Sequence, residues 1–187
     1  MSEPIHKTLA ELESGMEEIL RSPMDDGVLK LIVRRPQTGE REILPAAELD
    51  VSEGLIGDNW ITRGNSSTPP QPPKLDMQLT VMNSRVIALL AREKNRWPLA
   101  GDQLFVDLNL SVETMPPGTQ LGVGAAIIEI TAPPHTGCKK FMARFGPDAV
   151  QFVNSPVGKQ LRLRGLNARV VRSGVIRVGD KAKRLSK

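Results

Sequence analysis

One cysteine and one histidine, three residues apart, carry the most distinctive chemistry in this chain. They lie in the stretch Ala132-Pro133-Pro134-His135-Thr136-Gly137-Cys138-Lys139-Lys140-Phe141, which holds the only cysteine of the 187 residues and one of the two histidines. A strand-like run over 125–131 precedes it, and two prolines can continue neither a ladder nor a helix, so the strand must stop there. Gly137 permits a backbone conformation or a close approach that a side chain would forbid. A helical pattern follows, so the Cys138 thiol is expected on a stiff loop near a helix N-terminus, beside Lys139 and Lys140. Both surroundings favour thiolate, the form that attacks electrophiles and binds soft metals. The competing reading is that a lone cysteine is a small buried apolar residue without chemistry.

The second candidate stretch is Gly54-Leu55-Ile56-Gly57-Asp58-Asn59-Trp60, where an acid, an amide and an indole meet at one bend. Asp58 and Asn59 can equally close the turn through their own backbone, and Trp60 can equally fill the core. Residues 63–74, with Pro69-Pro70-Gln71-Pro72-Pro73, read as an exposed extended loop or lid.

The elements that must position these residues are mostly strands. Thr8 and Glu11 form a capping box ahead of Leu9, Leu12, Met16, Ile19 and Leu20, so residues 1–26 are expected as a helical segment packed on the body. Residues 27–187 are expected as one β domain. Alternation marks strands at 28–34, 40–44, 77–82, 104–110, 119–123, 125–131, 167–172 and 175–178, with Glu48, Asp50 and Glu53 in a polar connection. Helical patterns follow Asn83, Cys138, Pro147 and Pro156, and the Lys-rich tail is expected to fray. Many short strands with few peripheral helices predict a mainly β fold, a closed or nearly closed β-barrel.

Composition narrows the function. The net charge is +4, from 25 Lys and Arg against 21 Asp and Glu, and the basic residues of the C-terminal part alternate with apolar ones as on solvated strand faces. Four Phe, two Trp and no Tyr make a base-stacking platform, and hence a nucleic-acid partner, unexpected. A single cysteine excludes an intramolecular disulfide, a cysteine-rich zinc site and a cysteine-ligated iron–sulfur cluster. The N-terminus lacks a signal pattern and no apolar run reaches spanning length, so a cytoplasmic protein without a membrane partner is expected.

The order of motifs resembles the MOSC domain, the module named for the C-terminal part of molybdenum cofactor sulfurases, in its stand-alone bacterial form. The resemblance rests on GLIGDNW (54–60), QLTVMN (78–83), AGDQLFVDLNLS (100–111), PPGTQLGVGAAIIEIT (116–131), PPHTGCKKFMARFG (133–146) and RLRGLNARVVRSGVIRVGD (162–180). It implies a β-barrel and a central cysteine, Cys138, that ligates molybdenum of a pterin cofactor in reductase-like members or carries sulfur in sulfurases. The family's Gly-Glu-Asn motif appears here as Gly101-Asp102-Gln103. The resemblance therefore implies a molybdenum–pterin cofactor, with Asp58, Asn59, Trp60, Arg63, Asn109, Thr136, Gly137, Lys139 and Arg164 as cofactor-binding candidates and His135 as a proton donor or, equally, a turn histidine bonded to backbone. Among these, Arg63, Arg164 and Lys139 suit the phosphate, and Asp58, Asn59 and Asn109 the ring edges. PLP is not expected within this chain. The expected activity is reduction of N-hydroxylated or related small molecules, with electrons from an external donor protein. The alternative is a sulfur-carrier or cofactor-delivery protein, partnered by a sulfurase and holding a persulfide on Cys138, and a third is an inert binding barrel with Cys138 buried. The chain is expected as a monomer or homodimer.

Overall fold

The computed structural model describes residues 6–63 and 71–186. Eleven strands and seven α-helices are formed among them. Seven strands close a barrel: β1 (Asp26–Arg34), β5 (Leu79–Asn83), β6 (Leu104–Asp107), β7 (Gln120–Val123), β8 (Ala126–Ile130), β9 (Leu166–Arg172) and β11 (Lys181–Arg184). The ring runs β1-β11-β7-β8-β9-β5-β6 and back to β1. All neighbours are antiparallel except β5 and β6, which pair in parallel across the helix α4 (Ser84–Ala91). β2 (Glu42–Leu44) extends the sheet beyond β1. A small second sheet of β3 (Ala46–Asp50), β4 (Gly54–Leu55) and β10 (Gly174–Arg177) adds Leu49, Leu55 and Ile176 to the barrel core.

Two apolar cores result. Leu29, Ile32, Leu79, Val81, Leu104 and Val106 fill the barrel, while Leu31, Val33, Met82 and Phe105, from the same strands, face a helical layer. That layer is built from α1 (Leu9–Ser14), α2 (Met16–Leu20), α4, α5 (Lys139–Phe145), α6 (Pro147–Asn154) and α7 (Pro156–Gln160). Covering both faces of β1, β5 and β6 buries roughly 1.5–3 kcal/mol of transfer free energy per large side chain.

Several expectations change here for identifiable reasons. Strict alternation puts Leu29, Leu31 and Val33 on one face of β1, but a bulge between Leu29 and Leu31 turns Leu29 and Ile32 inward and Leu31 and Val33 outward. The capping box at Thr8 forms, yet Gly15 divides the N-terminal helix in two and leaves Leu20 exposed. The 104–110 strand stops at Asp107, and the supposed polar connection at Glu48 is β3, paired with β10. The tail does not fray: Lys181–Arg184 is the strand that closes the barrel, pairing with β1 on one side and β7 on the other. Its only inward residue is Ala182, so its composition carries no apolar alternation. The proline-rich 63–74 loop lies in part outside the described residues. No helix among the described residues is long and apolar enough to cross a membrane.

Because β11 pairs on both sides, a chain ending at Asp180 exposes two ladder edges and the end of the inner core. Thermal unfolding followed by circular dichroism should show no cooperative transition for the 1–180 protein, against a single sharp one for the full chain; a retained transition near the full-length Tm would refute the closing role.

Candidate functional site

The 98–103 turn, between the helical residues 94–100 and β6, organises the site. Gly101 takes φ 90°, the left-handed region that glycine enters without strain. Four successive carbonyls of this turn each accept from a different arginine. Arg41 Nε donates to Pro98 (3.2 Å), Arg144 Nη1 to Leu99 (2.6 Å), Arg164 Nη2 to Ala100 (2.9 Å) and Arg35 Nη1 to Gly101 (3.0 Å).

Two of these arginines are neutralised by buried acids. Arg35 grips Asp58 with Nε on Oδ2 (2.8 Å) and Nη2 on Oδ1 (2.7 Å), and its backbone N–H also donates to Oδ2 (2.9 Å). Asp58 Oδ1 further accepts from the Trp60 N–H at 3.0 Å. Asp58 is thus fully engaged in holding β1 to the 57–60 bend. Asn59, beside it, donates its N–H to the Arg35 carbonyl, and its side-chain Oδ1 is buried without a partner among the described residues. Trp60 is buried at the start of α3 (Trp60–Arg63), and Arg63 at its end is exposed.

Arg164 donates Nη1 to Asp102 Oδ2 at 2.7 Å, lies with its Cζ 4.7 Å from the Phe141 ring centroid, and keeps Nε buried and unpartnered. The other Asp102 oxygen, Oδ1, faces His135 Nδ1 at 3.4 Å without a hydrogen bond between them, and neither atom has a partner among the described residues. Burial and then the Arg164 charge push the His135 pKa down to about 4, Asp102 acting in the opposite sense and Arg35 adding to the fall. His135 is therefore neutral at pH 7.

Arg41 and Arg144 have no carboxylate partner among the described residues. Burial pulls the Arg41 pKa below its usual value, and Arg144 and Arg35 add to the effect. Arg41 Nη2 and Arg144 Nη1 both lie within 3.8 Å of the point where a side chain on Gly101 would begin. The turn thus carries four guanidinium groups against two carboxylates, a local field that favours anions.

Cys138 is exposed and caps α5 through its backbone, its carbonyl accepting from the Met142 N–H at 2.9 Å. Its own side chain makes no capping bond. The loop ahead of it is pinned by Asn154, whose Oδ1 accepts from the Gly137 N–H (2.9 Å) and whose Nδ2 donates to the Gly137 carbonyl (3.1 Å). A Cβ on Gly137 would stand 3.1 Å from Val153 Cγ2, so the glycine serves a close approach. Thr136 and Lys139 are exposed on either side.

The structure brings Asp58, Asn59, Trp60 and Arg63 to one flank of the 98–103 turn through Arg35, and His135 and Arg164 to the other through Asp102. Asn109 lies apart from both. It sits past the opposite end of β6 from Asp102, where its N–H donates to Pro23 and its Oδ1 accepts from the Ser111 N–H. Gln103 is buried and structural, its Oε1 accepting from the Thr80 N–H and hydroxyl. Sequence reasoning missed Arg35, Arg41, Arg144 and Asn154; the only local signal was the Gly-Asp pair at 101–102, which points to a turn rather than to its partners.

Two measurements check this layout. Arg35→Ala leaves the Asp58 carboxylate buried without its cation and should cost about 3–5 kcal/mol in urea unfolding; a loss below 1 kcal/mol would show that the pair is dispensable. For His135, the folded pKa near 4 lies below the ordinary 6.5, so the unfolded chain binds more protons between those values. Its contribution is complete above pH 6.5 and is lost as pH falls towards 4. Urea unfolding across this window should show wild type losing up to about 3 kcal/mol more than His135→Gln; equal losses would contradict a neutral, buried imidazole.

Comparison with known proteins fits this architecture. Residues 58–183 match the model of the MOSC domain. The crystal structure of the YuaD protein from Bacillus subtilis superposes with a TM-score of 0.65 at 13% identity, over 87% of this chain and 97% of that one. YiiM from Escherichia coli gives 0.55 at 17% identity, over 86% of this chain and 70% of YiiM. YiiM from Geobacillus stearothermophilus gives 0.52 at 13% identity, over 86% and 73%. No curated protein matches the sequence. At these identities the likeness is one of fold, a seven-stranded barrel with peripheral helices. The domain match covers two thirds of the chain, from the Asp58 bend through the Cys138 loop into the closing strand, and on it the chain belongs to the MOSC domain family.

Proposed function

We propose that this MOSC protein binds a molybdenum–pterin cofactor through Cys138 and reduces N-hydroxylated or related small molecules, with electrons from an external redox protein. The observation that carries the reading is the exposed Cys138 thiol on a loop fixed by Asn154, the same loop whose His135 faces Asp102 of a turn with a surplus of guanidinium groups. Cys138 offers one soft donor, and no group of three or more His, Cys, Asp and Glu able to hold a metal occurs among the described residues. A metal held here would carry its other ligands with it, as in a pterin complex. The residues fit such a group. Asn59 Oδ1 is a buried acceptor without a partner among the described residues, suited to a ring N–H. Arg41 and Arg144, with Arg63 and Lys139 exposed nearby in sequence to the two flanks, suit the phosphate; Arg164 is already bound to Asp102 and Ala100.

When bound, the cofactor would supply the two-electron chemistry that no side chain here provides. The chain's own residues bind and orient. Cys138 would anchor the metal, the guanidinium groups would hold the anionic end, and His135, neutral beside Asp102, would offer a hydrogen-bonding imidazole. The barrel core contributes rigidity: Arg35 and Arg164 tie strands β1 and β9 to the same turn.

A second reading, a sulfur carrier with a persulfide on Cys138, draws support from the same exposure and from the absence of a side-chain capping bond at that thiol.

Metal content separates the two. Wild type and Cys138→Ser, produced in cells able to make the cofactor, should differ in molybdenum by elemental analysis and in pterin by fluorescence, with near one metal per chain in the wild type and little in the variant. Absence of molybdenum from both, with cyanolysable sulfur on Cys138, would overturn the reductase and favour the carrier.

A further inference from the structure

Beside His135 a cavity of about 420 Å³ opens between the 132–136 loop, the end of α7 and the start of β9. Its charged lining is Lys159, Arg162 and Arg164, and no carboxylate lines it. Lys159 and Arg162 have no acidic partner among the described residues; Arg162 donates only Nη1, to the Met115 carbonyl at 2.5 Å. The buried Arg164 keeps Nε unpartnered. The rest of the wall is largely apolar, with Val112, Pro133, Val153 and Leu166. Cys138 is not part of this wall, although Thr136, two residues before it, is.

The backbone marks Arg162 as unusual. It sits at φ 49° just past the C-terminus of α7, where Leu163 N–H donates to the Gly158 carbonyl (2.9 Å) and Arg162 N–H to that of Lys159 (3.2 Å). These two bonds form the helix-ending motif whose left-handed position glycine normally fills. An arginine there is strained, and strain of this kind is kept where the side chain serves a ligand.

We propose that this cavity binds a small organic oxyanion, a carboxylate or phosphate ester on an apolar body, with Arg162 and Lys159 holding the anionic group. A volume near the lower end of the usual ligand range suits a single substituted ring. Binding needs no cofactor and so stands apart from the reductase reading; joined to that reading, and resting on it, the site makes the substrate an anion.

Calorimetry on protein from cells unable to make the pterin cofactor tests this, with benzoate, phenyl phosphate, benzamide and inorganic phosphate as probes. Benzoate or phenyl phosphate should bind about tenfold or more tighter than neutral benzamide and than inorganic phosphate. Arg162→Gly removes the cation and relieves the strained backbone, so affinity for benzoate should fall about tenfold while Tm stays level or rises. Lys159→Gln, on an exposed side chain, should weaken benzoate several-fold without touching the fold. Equal binding of benzamide and benzoate, no binding of either anion at roughly 10 mM, or unchanged affinity in both variants would overturn the proposal. Repeating the titration on molybdenum-loaded protein separates the two sources of oxyanion. Unchanged benzoate affinity supports a substrate site, and loss of it would assign the cavity to the cofactor's phosphate and overturn the inference.

Discussion

Four guanidinium groups on four consecutive carbonyls hold the 98–101 turn, and the two halves of the site hang from it. A charged donor on a carbonyl is worth roughly 1.5–3 kcal/mol, about twice a neutral bond. The four arginines arrive from different parts of the chain: Arg35 follows β1, Arg41 precedes β2, Arg144 ends α5 and Arg164 precedes β9. A single loop thereby fixes the barrel, the helical layer and the link to the small sheet against one another. Displacing the turn would break contacts in all of them at once, which is why a loop of glycine, proline and small residues can position chemistry.

The same clamp sets the electrostatics. Asp58 and Asp102 neutralise Arg35 and Arg164, and nothing among the described residues neutralises Arg41 and Arg144. Like charges held this close raise the free energy of the unliganded state, and an anion bound there relieves it. Burial lowers the Arg41 pKa most, and the Arg144 and Arg35 charges add to that fall. A net charge of only +4 therefore understates the field at the site. Charge here is local, built by the fold from arginines that are far apart in sequence.

What the sequence reveals follows the range of the physics involved. The barrel was legible because alternation over four or five residues is a local signal, as in β7 and β8, and the Cys138 loop because prolines and a glycine bracket it. The closing strand β11 was not, since only Ala182 points inward and three basic residues around it imitate a solvated tail. The bulge in β1 was hidden because Leu29, Leu31, Ile32 and Val33 are apolar on both faces, so the pattern cannot tell which pair turns inward. The Arg35–Asp58 pair lay beyond reach for another reason: an ion pair 23 residues apart has no period and leaves no compositional mark.

Asp58 and Asp102 make the distinction sharpest. Each follows a glycine in the left-handed region, each is buried, and each binds an arginine. Sequence reading makes Asp58 a cofactor-binding candidate and gives Asp102 only as part of the Gly101-Asp102-Gln103 motif. Yet both oxygens of Asp58 are filled, by Arg35 side chain and backbone and by the Trp60 N–H, so it has no valence left for a ligand. Asp102 fills one oxygen with Arg164 and turns the other to His135. A saturated buried carboxylate rigidifies, whereas a half-satisfied one costs free energy until a donor meets its open oxygen. The group facing that oxygen is His135, whose Nδ1 stands 3.4 Å away. The fold thus makes one Gly-Asp turn pure scaffold and leaves the other with an open carboxylate oxygen beside the imidazole of the site, a difference that lies in what each oxygen meets and not in the residues themselves.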